Sequence, residues 1–368
     1  MKKEFILFMF ICPLVLLYVF SSNLKNPRPK FNTRLTLNDS FEKLQGVETD
    51  DWSYVHTKED TEAIKHFKAL YNKNKLLQFS RDPTFKIPKT VHLIWIGPRP
   101  FPLKSIANIR SWIAHHPDWQ FIFWTDRKRP APCNGMEVRF LEDFDFKYLK
   151  EKYNESKNWG EKADIWRYEI LYKDGGVYID HDAKCIRPFH SLHMGYDFYA
   201  GLEMPHEGID DRSITAGIGV IGSKPYHPVI KATMKAVLNR WDEVTDKFKS
   251  SHPLIQARKV IHRTYLSMTY SFKNNLDRPE NKDIIFPACY FYPKHGLPGF
   301  YSVHLYGTSW NDLGETEIEK SFLSSLKNLK IRDTKIVRVE LFSLIALIGC
   351  FIIYLLLKKE ILRSKNEQ

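Results

Sequence analysis

The chain has 368 residues, of which 43% are hydrophobic and 27% are charged. A chain of this length and composition can bury one large core or two ordinary ones, which excludes a mainly disordered protein. The formal net charge is +12, but Lys and Arg are spread along the sequence and much of the excess lies beside two apolar runs. This distribution indicates membrane-proximal and solvated surface charge, and it argues against a nucleic-acid partner.

Two uncharged runs near the ends predict membrane helices. Phe5 to Phe20 follows two lysines, and Leu341 to Leu357 precedes two more. Both runs are close to the lower end of the roughly 17–25 residues that cross a bilayer. No small-x-small cleavage site follows the first run, which favours an uncleaved anchor over the alternative, a cleaved signal peptide.

The segment after the first run is polar up to about Pro83, with a weakly helical stretch near Thr61 to Leu77, and it is interpreted as a stem. The predicted organisation is a tail and anchor in residues 1–21, a stem in 22–84, a catalytic domain in 85–312, a juxtamembrane linker in 313–340, a transmembrane helix in 341–357 and a basic tail in 358–368.

Regular structure is predicted from Ile87 onward. Thr90 to Ile96 is β-branched and apolar, which is typical of a buried strand, and Gly97-Pro98 ends it. Lys104 to His115 has the apolar spacing of a helix, and Trp119 to Trp124 indicates a second buried strand. The order of these elements predicts a βαβ unit and therefore an α/β fold.

A further helix is predicted from about Glu161 to Lys173, ended by Asp174-Gly175-Gly176. Asp164 and Arg167 are three residues apart and therefore share one face of this helix. Taken alone, such a pair most often forms a surface ion pair. Its place just before an acidic motif favours a functional role instead.

That motif is Asp180-His181-Asp182, which follows the apolar run Val177-Tyr178-Ile179. If the strand continues through the motif, the two carboxylates point to one face and His181 to the other. Two carboxylates at that spacing suit one Mg²⁺ or Mn²⁺ that keeps positions open for phosphate oxygens. The motif therefore predicts a site that handles a diphosphate.

The segment Gly217 to Gly222 fits the dinucleotide pattern GxGxxG literally. That pattern requires a helix that starts within the glycines, and Pro225 and Pro228 would fall inside it. The sequence therefore predicts a strand, a turn and a helix that begins near Pro228, and it argues against a nicotinamide or flavin cofactor.

Taken together, these segments resemble a family of DXD-containing glycosyltransferases. The segment Lys162 to Tyr172, running into Gly175 to Asp182, is similar to the family's sugar-binding region, and Ile87 to Trp95 resembles its opening strand. His304 and the pair Ser309-Trp310 are further marks, so that the resemblance covers roughly Ile87 to Asp312. The family includes fungal α-1,6-mannosyltransferases and inositol-phosphoceramide mannosyltransferases, and distantly the clostridial glucosylating toxins.

The resemblance implies a GT-A-like domain with a central mixed sheet, here flanked by N- and C-terminal transmembrane helices, and it implies residues that bind the sugar donor. Trp95 would stack on the nucleotide base. Asp164 and Arg167 would hold the ribose and the transferred sugar. Ser309 and Trp310 would lie on a mobile segment that closes over the diphosphate.

The resemblance also implies a metal site. Asp182 would bind Mn²⁺ or Mg²⁺ directly, whereas Asp180 would contact sugar or ribose hydroxyls and reach the metal mainly through water. The strand alternation makes His181 a packed histidine rather than a ligand. His304 either contacts the closing segment or the metal, or only packs.

The predicted reaction is metal-dependent transfer of a hexose from a nucleotide sugar, with retention of configuration as the family implies. The two apolar runs and the family favour GDP-mannose as the donor and a membrane glycolipid such as inositol phosphoceramide as the acceptor. Transfer from a UDP-sugar to a glycan or protein is one alternative, and an inactive sugar-nucleotide-binding protein is another.

Two features of the sequence leave parts of this reading open. Ser213 to Gly217 has no Asn where the family often carries one, which affects the choice of sugar, and no residue identifies itself as a covalent nucleophile.

A eukaryotic protein would lie in a Golgi-type membrane with a lumenal domain, and a bacterial one in the cell membrane.

Overall fold

The computed structural model describes residues 35–80, 82–207 and 212–307. Across these ranges no helix has both the length and the apolar character that a bilayer crossing requires. Both predicted membrane runs, and Ser309 and Trp310, lie outside the described residues. The described residues up to 249 and from 258 to 307 belong to one compact unit, and residues 250–257 belong to a second.

A mixed sheet of seven strands forms the centre of the described chain, in the order β3-β2-β1-β4-β7-β6-β8. The strands from β3 to β4 run parallel, β7 is antiparallel to both of its neighbours, and β8 is parallel to β6. Strands β5 and β9 pair antiparallel in a separate small sheet. The strands are β1 (Thr90–Ile94), β2 (Gln120–Thr125), β3 (Met136–Phe140), β4 (Gly176–Ile179), β5 (Ala183–Cys185), β6 (Phe198–Leu202), β7 (Ala216–Ser223), β8 (Asp283–Phe286) and β9 (Ser302–His304).

Helices join and cover these strands, as an α/β fold requires. The α-helices are α1 (Phe41–Leu44), α2 (Lys58–Asn74), α3 (Ile106–His115), α4 (Lys150–Glu155), α5 (Trp159–Lys173), α6 (His190–Gly195), α7 (Pro228–Lys247), α8 (Pro253–Val260) and α9 (Leu266–Ser271). Short 3₁₀ turns occur at Asp50–Tyr54, Lys75–Phe79, Leu103–Ser105, Leu141–Asp143 and Ala288–Tyr290, and a π turn at Ile261–Tyr265.

The predicted mixed central sheet and its opening βαβ unit are confirmed. Strand β1 is buried from Val91 to Ile94, because it pairs on both sides with β2 and β4 inside the sheet. It ends two residues earlier than predicted, so that Trp95 emerges at its carboxyl end. The GxGxxG segment is strand β7, and α7 begins at Pro228 as predicted.

The segment predicted to be a stem contributes structure to the domain. Helix α2 buries Phe67, Leu70 and Tyr71, which are spaced so that they share one face. The Tyr71 hydroxyl lies 2.9 Å from that of Tyr290. At the other end of α2, the Asp60 carboxylate accepts hydrogen bonds from the Ser213 backbone N–H at 2.8 Å and hydroxyl at 2.7 Å. The described part of this segment therefore packs on the sheet domain.

Candidate active site

The Asp180-His181-Asp182 motif forms a turn between β4 and β5. Strand β4 ends at Ile179, and the Ala183 backbone N–H donates to the Asp180 carbonyl at 3.0 Å. The expectation of a continuous strand is therefore wrong at this point, because ladder pairing stops where the chain turns. The two carboxylates nevertheless converge, since the turn bends both toward the same space.

Strand β9 brings His304 to the same place. Ala183 and His304 are cross-strand partners in the small sheet, which joins the motif to a residue far along the chain. One ligand atom each from Asp180, Asp182 and His304 lie within 4.8 Å of one another. The two carboxylates are oxygen ligands that suit Mg²⁺ or Mn²⁺.

The residues after β9 hold Asp182 in position. The Asp182 side chain is buried, the Leu305 backbone N–H donates to the Asp182 carbonyl at 3.0 Å, and the Gly307 backbone N–H donates to its carboxylate. The Tyr306 backbone N–H donates to His304 Nδ1 at 3.2 Å. His304 Nε2 therefore carries the ring proton and faces Asp180 at 3.4 Å and Asp182 at 3.3 Å. In this arrangement the carboxylates are the available ligands, and His304 donates to them.

Arg167 links the predicted helix pair to the motif. Its guanidinium is buried, and Nη2 lies 2.8 Å from Asp164 Oδ1 and 3.1 Å from Asp180 Oδ1. Nη1 donates to the Ile218 carbonyl at 2.6 Å, and the Tyr178 hydroxyl donates to Asp180 Oδ1 at 2.8 Å. The structure thus excludes the simple surface ion pair and makes Arg167 the cation shared by two carboxylates.

Asp164 and Asp180 both contact Arg167, but their pKa values shift in opposite directions. Burial raises the pKa of Asp164 to about 6, against the opposing effects of Arg167 and the hydrogen bond from Thr264. Burial would also raise the pKa of Asp180, but Arg167 and the hydrogen bond from His304 outweigh it and hold that pKa well below its usual value. Asp180 is therefore an anion at neutral pH, as a site for a cation requires.

His181 supports the motif from behind. It is buried, its Nδ1 lies 2.8 Å from the Ser105 hydroxyl, and Asn108 Nδ2 donates to its carbonyl at 3.3 Å. Burial lowers the pKa of this imidazole. Its ring lies outside the cluster of candidate ligands and meets the ring of Trp95 edge-on at a centroid distance of 5.2 Å. His181 therefore packs, as predicted, and it places Trp95 next to the motif.

Trp95 has a fixed orientation at the edge of the site. Its indole Nε1 donates to the Arg99 carbonyl at 2.9 Å, and its ring packs edge-on against Phe101 at 5.4 Å. The side chain is only partly buried. The structure thus gathers five of the predicted residues, namely Trp95, Asp164, Arg167, Asp180 and Asp182, whereas Ser309 and Trp310 lie outside the described residues.

Gly219 is a site residue that the sequence reasoning missed. Its carbonyl accepts from the Asp180 backbone N–H at 2.8 Å, and a Cβ there would lie 2.7 Å from Asp180 Oδ2 and 2.8 Å from His304 Nε2. A glycine within a strand often marks a place where another group lies close to the backbone. This is the signal in the sequence that could have identified Gly219. It belongs to the GxGxxG segment, where it leaves room for the carboxylate cluster.

Gly219→Ala is expected to weaken binding of Mn²⁺ by about tenfold or more, because the new methyl group must displace Asp180 or His304. Titration calorimetry with Mn²⁺ measures the effect. Gly296→Ala is the matched control, since a Cβ there meets nothing within 4 Å, although its φ of +77° adds backbone strain. Equal Mn²⁺ affinity in the two variants would contradict the role assigned to Gly219.

Comparison with known proteins agrees with this geometry. Residues 102–199 match the family described as glycosyltransferase sugar-binding region containing DXD motif. The chain is 33% identical over 229 residues to inositol phosphoceramide mannosyltransferase 3 of Schizosaccharomyces pombe, covering 61% of this chain and 56% of that protein. It is 26% identical over 230 residues to inositol phosphoceramide mannosyltransferase 1 of the same yeast, covering 61% and 63%.

The matched region thus spans less than two thirds of each of these yeast relatives. Among solved structures, PaToxG glycosyltransferase aligns at a TM-score of 0.40 and 15% identity, over 59% of this chain and 78% of that one. The matched family region contains Asp164, Arg167, Asp180 and Asp182. The chain is therefore similar to DXD-containing glycosyltransferases over the region that holds these four side chains.

Proposed function

We propose that this protein is a membrane-bound glycosyltransferase that transfers a hexose, specifically mannose from GDP-mannose, to a glycolipid headgroup such as that of inositol phosphoceramide. The observation that carries the transfer reaction is the convergence of Asp180 and Asp182 beside the buried Arg167. The choice of mannose and of a sphingolipid rests on the similarity to the yeast inositol phosphoceramide mannosyltransferases. The mixed sheet supports a GT-A-like arrangement of the catalytic domain.

Cleavage of the sugar–phosphate bond places negative charge on the departing diphosphate. Asp182, with Asp180 beside it, would hold Mn²⁺ or Mg²⁺, which when bound acts as a Lewis acid on the phosphate oxygens. Arg167 keeps Asp180 ionised and fixed, so that its oxygens are preset before the donor arrives.

The remaining roles concern the donor itself. Trp95 presents a partly exposed indole at the carboxyl end of β1, where it would stack on the nucleotide base. Asp164 would accept from a sugar or ribose hydroxyl, while Ser309 and Trp310 remain predicted contacts to the diphosphate. Retention of configuration is proposed from the family, and the nucleophile is not assigned.

The test is turnover of a donor panel by the full-length protein with Mn²⁺ and vesicles that contain inositol phosphoceramide. Release of nucleoside diphosphate and formation of mannosylated lipid are expected with GDP-mannose and not with UDP-glucose or UDP-galactose. A chelator is expected to stop the reaction, and added Mn²⁺ to restore it, because a divalent cation on the two carboxylates would stabilise the charge that develops on the leaving diphosphate. Turnover of a UDP-sugar onto a glycan or protein would overturn the proposed donor and acceptor.

A further inference from the structure

Three segments around the DXD turn share an unusual charge composition. Residues 98–112, 183–188 and 302–307 contain no Asp or Glu. Their charged side chains are all basic and all exposed, and none forms an ion pair with another residue in the described part of the chain: Arg99, Lys104, Arg110, Lys184 and Arg187. Arg110 lies beside Ala131 to Asn134. We call the other four side chains, together with Leu103, Ile186 and Leu305, the rim.

The apolar members of the rim are unusually open to solvent. Leu103 is 82% exposed, Leu305 56% and Ile186 41%. A single exposed apolar side chain is ordinary, but three on segments next to the DXD turn mark a surface that contacts something other than water.

The contacts of the rim show that it borders the active site. Leu103 begins the short turn that ends at Ser105, whose hydroxyl lies 2.8 Å from His181 Nδ1. Leu305 donates its backbone N–H to the Asp182 carbonyl at 3.0 Å. Strand β5 leads from Asp182 directly into Ile186. The three apolar side chains therefore come from segments tied to the same turn.

Hydrogen bonds join helix α3, which follows Lys104, to strand β5, which contains Lys184. The Cys185 backbone N–H donates to the Ser111 hydroxyl at 2.9 Å, and the Trp112 indole donates to the Ala183 carbonyl at 2.8 Å. Lys184 lies between two buried residues of β5 and is itself exposed, so its side chain points outward from this junction.

We propose that the rim docks the active-site entrance onto an anionic lipid bilayer. Cationic side chains next to exposed leucines fit a bilayer, which has phosphates at its surface and acyl chains beneath them. A nucleic acid would bind the cations but has no apolar layer to receive the leucines. The proposal rests on the proposed function in one respect: an acceptor hydroxyl on a lipid headgroup reaches the DXD turn only when the entrance faces the bilayer.

Photocrosslinking of the full-length protein in vesicles of phosphatidylcholine and phosphatidylserine tests the docking. Leu103 is replaced by p-benzoylphenylalanine, and after irradiation lipid adducts are located by mass spectrometry of peptides. Tyr226 is the matched control position: it is 67% exposed, and its backbone N–H donates to the carbonyl of Tyr172 near the amino end of β4, opposite the DXD turn. Lipid adducts are expected at position 103 and not at position 226.

The charge requirement is tested in the same vesicles. Lys104→Gln with Lys184→Gln is expected to reduce the adduct by about fivefold for each lysine replaced, because each cation near an anionic surface contributes to binding. Lys58→Gln with Lys65→Gln, two exposed lysines of α2, is the control pair and is expected to leave the adduct unchanged.

Crosslinks from position 103 to a peptide of this chain or of a second copy, or equal lipid adducts at both positions, would overturn the docking. Measuring lipid adducts and mannose transfer separately distinguishes the proposed docking from the proposed lipid acceptor. Lipid adducts without any lipid product would retain the docking and refute the acceptor, whereas lipid product without adducts at position 103 would do the reverse.

Discussion

Asp182→Asn is expected to lower the rate of sugar transfer by about a thousandfold while the protein remains folded. Asn keeps the shape of the side chain and an oxygen that can accept the Gly307 N–H and face His304. It removes the negative charge that a divalent cation needs, next to an Asp180 already engaged by Arg167. The measurements are kcat with GDP-mannose, Mn²⁺ affinity by calorimetry, and the thermal melting temperature.

Asp246→Asn is the matched control for that variant. Asp246 is an exposed carboxylate on α7 that pairs with Lys249 at 3.1 Å. Its replacement is expected to change neither transfer nor Mn²⁺ affinity, because exposed pairs contribute little. Should Asp182→Asn transfer mannose at a rate close to that of the control, the metal role of the turn would be refuted.

Arg167→Met is expected to destabilise the protein by about 3–5 kcal/mol, the usual effect of removing one partner from a buried ion pair. The side chain is only 3% exposed and lies between Asp164 and Asp180. Met fills much of the space but leaves both carboxylates without a cation. The melting temperature of the full-length protein in detergent measures the loss, and transfer is expected to fall with it.

A double variant shows whether charge causes this loss. Adding Asp164→Asn to Arg167→Met removes one of the two uncompensated carboxylates and is expected to recover part of the stability. Arg258→Met, at an exposed position in α8, is the control and is expected to melt like the parent protein. No recovery in the double variant would show that Arg167 acts through packing and not through charge.

The local elements were predictable because their signals are local. The apolar run in β1, the stop signal after α5 and the prolines before α7 each act within a few residues. The end of β4 was not predictable in this way. It depends on where β4 stops pairing with β7, so the motif was expected in a strand and lies in a turn.

Local sequence patterns also could not predict which distant residues meet at the DXD turn. His304 reaches the motif through the pairing of β9 with β5, and Gly219 reaches it through the pairing of β7 with β4. The sequence of helix α2 is mostly polar, but its buried residues Phe67, Leu70 and Tyr71 pack the helix against the domain. Asp164 and Arg167 were found because their spacing on one helix face is local, although their shared contact with Asp180 is not.

The hydrogen bond from the Gly307 backbone to the Asp182 carboxylate couples two events. A divalent cation on Asp182 would draw electron density from the carboxylate that accepts this bond, and would therefore weaken the bond to Gly307. By thermodynamic reciprocity, breaking the bond to Gly307 would then strengthen cation binding by the same factor. The affinity for the cation would thus depend on where residues 305–307 lie.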